Sequence, residues 1–224
     1  MKTTISVLIL SLLALVIISF GGSLGEVIKD REGNMYKIVK IGDQVWMAEN
    51  LNVSTFRNGD SISEAQSIKD WVVLGSKRQP AWCYYQNDPE NGKKYGKLYN
   101  WYVVNDPRGL APEGWHVPTD AEWQKLIDYL GGGSVAGGKM KDTTNWSSPN
   151  TGATNESGFS ALPSGSRDFG GGSYNNAGSS AYFWSSTEII RDYAWHWNLD
   201  YFNAGAYLHN INERYGFSVR CVKD

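Results

Sequence analysis

Thr119-Asp120-Ala121-Glu122-Trp123-Gln124-Lys125-Leu126-Ile127-Asp128-Tyr129-Leu130-Gly131 carries the clearest helical grammar in this chain. Thr119 is a strong N-cap, and Glu122 three residues later completes a capping box. Trp123, Leu126, Ile127 and Leu130 fall at i, i+3, i+4 and i+7, which puts one apolar stripe on the helix. Gly131 supplies the left-handed stop. Outward from this helix the pattern changes. Towards the N-terminus, Met35 to Met47 alternates apolar and polar about a Gly42-Asp43 turn, the mark of a hairpin. A second helix is expected over Gly96 to Asn105, with a less regular stripe of Leu98, Tyr99, Trp101 and Tyr102, and a short one over residues 64–71. Towards the C-terminus, short strands are expected at 159–162, 181–187, 193–200, 205–210 and 216–222, separated by Gly/Asn/Ser loops. Few helices, many strands and no βαβ alternation point to an α+β fold.

Composition supports that reading. The 224 residues include 25 glycines, ten tryptophans and thirteen tyrosines, with a formal charge of -2. Glycine at about 11%, against an ordinary ~7%, favours turns joining short strands. A slightly acidic chain lacks the cationic field that displaces counterions from nucleic acid, so no nucleic-acid partner is expected. Three histidines and two cysteines leave metal or thiol catalysis little to draw on.

Residues 1–25 read as an export segment: Lys2, an apolar run from Ile5 to Phe20, then Gly21-Gly22-Ser23-Leu24-Gly25. That order is the n-region, h-region and small-residue cleavage zone of a signal peptide, with cleavage expected before Glu26. No cysteine follows the run, which argues against lipid attachment. The alternative is an uncleaved membrane anchor, the only membrane association expected, since the run approaches the ~18-residue lower limit of a spanning helix. Either way residues 26–224 form one expected domain outside the cytoplasm. Under oxidising conditions an isolated pair, Cys83 and Cys221, is expected as a disulfide, contributing up to about 5 kcal/mol in the chain-entropy picture. The competing reading is two buried free thiols.

Several segments, in order, carry a family likeness: Ile41-Gly42-Asp43-Gln44-Val45-Trp46-Met47-Ala48-Glu49-Asn50-Leu51-Asn52, Tyr95-Gly96-Lys97-Leu98-Tyr99-Asn100-Trp101, Gly114-Trp115-His116-Val117-Pro118-Thr119-Asp120-Ala121-Glu122-Trp123, Gly158-Phe159-Ser160-Ala161-Leu162-Pro163, Phe183-Trp184-Ser185-Ser186-Thr187-Glu188 and Gly216-Phe217-Ser218-Val219-Arg220-Cys221-Val222. The chain resembles the Fibrobacter succinogenes major paralogous domain family. The resemblance implies a C-type-lectin-like fold: two helices, a twisted antiparallel sheet and a long loop region. It implies a secreted or surface-displayed module without assigning an activity.

Enzymes of that fold group set a test. The formylglycine-generating type needs a late cysteine pair, and this chain has only Cys221 there. The sulfoxide synthases need several metal-binding histidines, and His116, His196 and His209 lack a metal-ligand spacing. His116 is expected as a hydrogen-bonding core or loop residue, and His196 and His209 as surface groups. Asp168, Glu188, Asp192 and Asp200 are expected as solvated loop carboxylates. Calcium-dependent sugar binding needs several oxygen ligands. Trp197-Asn198-Leu199-Asp200 carries an extra leucine relative to the lectin triplet, and Ser148-Pro149-Asn150 lacks the carboxylate. No catalytic residue, metal or cofactor is therefore expected, with calcium the least disfavoured.

What stands out is residues 189–215, dense in Trp, Tyr, His, Asn and Arg. Such residues give large contacts and adaptable hydrogen bonds. Trp195 and Trp197 share one strand face, His196 and Asn198 the other. The expected ligand-binding residues are Trp197, Tyr201, Tyr207, His209 and Asn210, helped by the loop from Arg167 to Gly178, and the expected partner is a glycan or a surface protein. Trp184 is expected in the core. Two other readings compete: a structural envelope protein, and a target of a diversity-generating retroelement, whose adenine-codon substitutions leave a similar composition.

Overall fold

The computed structural model describes residues 26–224. The expected export segment at 1–25 lies outside the described residues. Strands β1 (Val27–Lys29), β2 (Met35–Ile41) and β3 (Gln44–Met47) form an antiparallel meander, with Gly42-Asp43 as the β2–β3 turn. Gly42 sits at φ 63°, a left-handed conformation that favours glycine. The chain continues through β4 (Ser63–Glu64), α1 (Ile68–Ser76), β5 (Ala81–Cys83), α2 (Pro89–Tyr95), β6 (Leu98–Tyr99), α3 (Trp101–Val104), β7 (Trp115–His116), α4 (Asp120–Tyr129) and α5 (Ala136–Met140). Residues 141–165 carry no helix or strand. Then follow β8 (Ser166–Arg167), β9 (Tyr174–Asn175), β10 (Ser180–Ile190), β11 (Tyr193–Asp200), β12 (Ala206–Asn212) and β13 (Val222–Lys223).

The fold is α+β, with strand pairing antiparallel except between β4 and β5. One sheet runs β1-β2-β3-β13-β7, so the C-terminal strand closes onto the N-terminal hairpin. A second runs β10-β11-β12. Helix α4 forms where its sequence demands: the Thr119 hydroxyl accepts from the Glu122 amide, the Glu122 carboxylate accepts from the Thr119 amide, and Trp123, Leu126 and Ile127 are buried.

Five α-helices form among the described residues, against the three expected from the residue pattern. The expected helix over Gly96 to Asn105 is broken, because Gly96 sits at φ 72° as the C-cap of α2. A Cβ there would stand 2.8 Å from the Leu51 carbonyl oxygen. Leu98-Tyr99 then pairs with β5, and only Trp101–Val104 is helical. Helix α2 starts at Asp88, whose side chain accepts from the Glu90 amide, with Pro89 at the first helical position. The helix expected at 64–71 is displaced to Ile68–Ser76 by the Ser67–Asp70 capping box. In the segments expected as strands at 159–162 and 216–222, only Val222 falls within a named strand. Ala161, Gly216, Phe217 and Ser218 make isolated bridges.

The β10–β12 sheet is covered on both faces. Residues directly opposite in an antiparallel pair share a face. Phe183, Trp197 and Leu208 form one such row and pack into a cluster with Trp46, Trp123 and Phe159. Trp184, His196 and His209 form the other. On that side Trp184, Ala194 and Phe217 belong to a second cluster that includes Met47, Tyr99 and Trp101.

Candidate functional site

On the Trp184–His196–His209 side of the sheet an unbroken row of rings leads from the core to the surface. Phe217 stacks on Tyr182 at 4.9 Å and 15° and touches His196 at 4.9 Å. His196 lies 5.9 Å from His209, and His209 lies 6.4 Å from Tyr207. In the other direction Phe217 meets Tyr215 at 5.7 Å, and Tyr215 meets Phe169 at 5.3 Å. The cross-strand pairs Tyr182↔Asn198 and Asn198↔Tyr207 set a buried amide between two phenols.

The segment from Arg167 to Gly178 borders this row. Asn176 Nδ2 donates to the Tyr182 hydroxyl at 2.9 Å. The Arg214 guanidinium lies 4.7 Å over the Phe169 ring. Burial, with Asp168 nearby, raises the pKa of Tyr215. Asp200 Oδ1 accepts from Ser180 and from Asn198. The inner end of the row is apolar and rigid, while Tyr207 and His209 at its outer end are exposed.

His196 is 4% exposed, and its Nδ1 is buried without a hydrogen-bond partner. Burial, reinforced by the neighbouring His209, lowers its pKa to about 3. The ring is therefore neutral at physiological pH, the form with one donor and one acceptor nitrogen. The expectation that His196 is a surface group is corrected: Phe217 and Trp184 cover it. His209 is exposed, as expected. His116 is half-buried, its Nδ1 paired with Asp224 at 2.6 Å and its Nε2 with Glu122 at 2.8 Å. Burial opposes its charge, but these two carboxylates outweigh that and raise its pKa.

The five expected ligand residues separate. Tyr207 and His209 lie on the ring-lined face. Trp197 lies on the opposite face, 4% exposed, 6.5 Å from Trp123 in a stacked arrangement. It is a core residue, and its expected place in a ligand site is corrected. Tyr201 is half-buried against that same cluster and meets Phe202 edge-on. Asn210 is exposed but opposite Trp195, on the Trp197 face. Sequence reasoning omitted Tyr182, Tyr215 and Phe217 from the site and misplaced His196.

The expected disulfide is also corrected. Cys83 and Cys221 are both free and buried, and they lie in separate clusters, Cys83 with Trp71 and Leu98, Cys221 with Tyr36 and Tyr99. Burial raises the pKa of both thiols. Arg167 beside Cys83, and Arg57 and Arg220 beside Cys221, oppose this shift, but neither thiol has the solvent exposure of a reactive thiolate.

The lectin-like Trp197-Asn198-Leu199-Asp200 stretch points its residues to different tasks, with Asn198 bonded to Asp200. Three main-chain carbonyls that could have faced a hard cation, those of Thr151, Asp200 and Asn203, instead accept from Lys141 Nζ at 2.7–3.0 Å. Among the described residues no cluster of three or more His, Cys, Asp or Glu side chains could hold a metal.

Rings for stacking, amides and phenols for hydrogen bonding, and a neutral imidazole suit non-covalent recognition. The Fibrobacter succinogenes major domain model matches residues 39–223, and the chain belongs to that family. Neither a curated protein nor a solved structure matches it.

Proposed function

We propose that this protein is a non-catalytic, exported ligand-binding module of C-type-lectin-like fold whose binding face is the Tyr182–His196–His209–Tyr207 side of the β10–β12 sheet. The observation that carries this reading is the continuous ring row ending in exposed Tyr207 and His209, with the unpartnered imidazole of His196 beneath it. The Arg167–Gly178 segment and Arg214 form its border. Buried aromatic anchors dominate binding hot spots, and here rigid rings are already fixed by packing, which lowers the ordering cost of association. The lectin-like fold is supported by the five-stranded sheet closed by the C-terminal strand, the β10–β12 sheet, the capped helix α4 and the irregular stretch at 141–165. The ligand class consistent with flat rings and amides is a glycan or a protein surface.

The test is a glycan and surface-protein array probed with residues 26–224, followed by titration of the hits. Tyr207→Ala and His209→Ala should each weaken binding about tenfold, or ~1.4 kcal/mol, with unchanged thermal unfolding. Unchanged affinity in both variants would remove the face from consideration and favour a structural role.

A further inference from the structure

A separate cleft of about 420 Å³ shares no residue with the β10–β12 face. That volume lies within the range of small-molecule sites. Part of its lining is apolar, including Ile28, Val53, Pro112 and the almost fully buried Phe56, Leu110 and Trp115, and the rest is polar or charged.

Two guanidiniums, Arg31 and Arg57, also line it, together with Lys29. Arg57 is held in place from behind. Its Nε donates to the Ala111 carbonyl at 3.0 Å, and its Nη2 donates to the Trp115 carbonyl at 2.9 Å. These are neutral acceptors, so the charge is oriented but not compensated. Arg31 makes one long bond, to the Arg57 carbonyl at 3.5 Å. Among the described residues neither guanidinium has a carboxylate partner. Arg108, whose guanidinium lies over the Phe56 ring, contrasts with them, because it is paired with both Asp60 and Asp106. Two carboxylates line the cleft. Asp30 accepts from Tyr36 and from Asn34, and Glu113 is exposed.

We propose that this cleft binds a small amphipathic oxyanion, a carboxylate, sulfate or phosphate carried on an apolar body. The body lies against the half-buried Ile28 and Pro112 over the buried rings of Phe56 and Trp115, and the acid group meets Arg31 and Arg57. The planar guanidinium fork matches such oxyanions in geometry as well as charge. The fixed Arg57 supplies orientation, and the exposed Arg31 supplies a second guanidinium for the acid.

The experiment compares two fluorophores of the same body, anionic dansylglycine and neutral dansylamide, titrated against residues 26–224. Dansylglycine should bind with enhanced, blue-shifted emission at least tenfold more tightly than dansylamide, and 0.5 M NaCl should narrow the gap. Arg31→Gln, whose side chain contributes little to the fold, should remove that preference and leave dansylamide unchanged. Thr55→Trp, which fills the cleft from its rim, should abolish both signals, whereas Tyr207→Ala on the other face should alter neither. Equal affinity for the two fluorophores, binding of neither at millimolar concentration, or an unaltered preference in Arg31→Gln would overturn the proposal.

Discussion

Trp197→Ala separates a core residue from a ligand contact. The indole is 4% exposed and stacked with Trp123 in the cluster that also holds Trp46, Phe159 and Phe183. Aromatic side chains bury about 150–250 Å² each, which at roughly 25 cal/mol per Å² amounts to about 4–6 kcal/mol. Measured Trp or Phe to Ala changes in cores cost about 3–5 kcal/mol, the packed surroundings relaxing only in part. The indole Nε1 also donates to Asp120 Oδ1 at 3.2 Å, in the first turn of α4. Burial raises the Asp120 pKa while this bond lowers it, so losing the bond leaves a less favoured carboxylate. We expect a loss of about 3–5 kcal/mol, read as a shift in the urea midpoint at constant m-value. For a domain of this size that corresponds to a fall of about 6–20 °C in Tm. Tyr207→Ala, at a side chain 41% exposed, should cost under about 1 kcal/mol in the same assay. A Trp197→Ala variant within 1 kcal/mol of wild type would refute the placement of this strand.

The remaining expectations concern buried charge and the thiols. Lys141→Met removes an ammonium that three carbonyls accept from, and leaving buried acceptors unpaired costs about 1–3 kcal/mol each. Urea unfolding should show a loss of at least about 3 kcal/mol. Glu213 is buried, with Oε1 unpartnered, and burial raises its pKa to about 7 despite Arg78. A carboxyl that holds its proton more tightly in the fold than in the unfolded chain stabilises below about pH 4.5, and that contribution is lost as pH rises through about 7. Glu213→Gln should therefore flatten this part of the stability profile and exceed wild type at pH 8. The raised pKa of His116 has the same sign: its contribution is complete below the ordinary histidine value and fades as pH climbs past the folded one, a slope that Glu122→Gln should reduce. Cys83 and Cys221 should resist a thiol reagent in the native protein and react after denaturation. An unreduced sample two mass units lighter than the reduced one would contradict the free thiols.

Local grammar was legible where one signal dominated. Helix α4 follows from its capping box, the Gly42-Asp43 hairpin from its alternation, and β11 matches its expected bounds of 193–200. The two faces of β11 follow from its alternation, but which residues of β10 stand opposite them depends on a local irregularity that the sequence does not mark. The turn pairs Ile190 with Tyr193, and an uninterrupted hairpin would then set Trp184 opposite Leu199. Irregularities on either side of Glu188 set it opposite His196 instead. A bulge changes which side chains share a face, and nothing in Ser185-Ser186-Thr187-Glu188 announces one. Alternation along β11 does not reveal that Phe217 and Trp184 cover its second face, which is why His196 is buried and not at the surface. Nor does sequence separation reveal that Cys83 and Cys221 sit in different clusters.

Three buried cations, two of which (Lys97 and Arg220) lie inside the family segments, have a physical explanation. A fold with so much irregular chain must pair main-chain carbonyls that no sheet or helix satisfies, and here buried cations do so. Arg220 donates to the carbonyls of Met47, Phe159 and Ser160 and to Asn50 Oδ1, tying the terminal segment to two earlier ones. Its guanidinium also lies 4.5 Å over the Phe159 ring. Lys97 donates to the Asn52 carbonyl under the Trp82 ring. Arg167 binds the carbonyls of Ala65, Ser67 and Gly172 between the rings of Trp71 and Tyr174. Among the described residues none of these three makes a salt bridge, so their hydrogen bonds go to carbonyls and each holds a loop geometry that an apolar residue of the same size could not. Two of the segments that carry the family likeness, 95–101 and 216–222, therefore hold staples of the scaffold. Tyr207 and His209 fall between two of those segments, where side chains can change without disturbing a single staple. That separation of fixed frame from free surface accords with the recognition role proposed above.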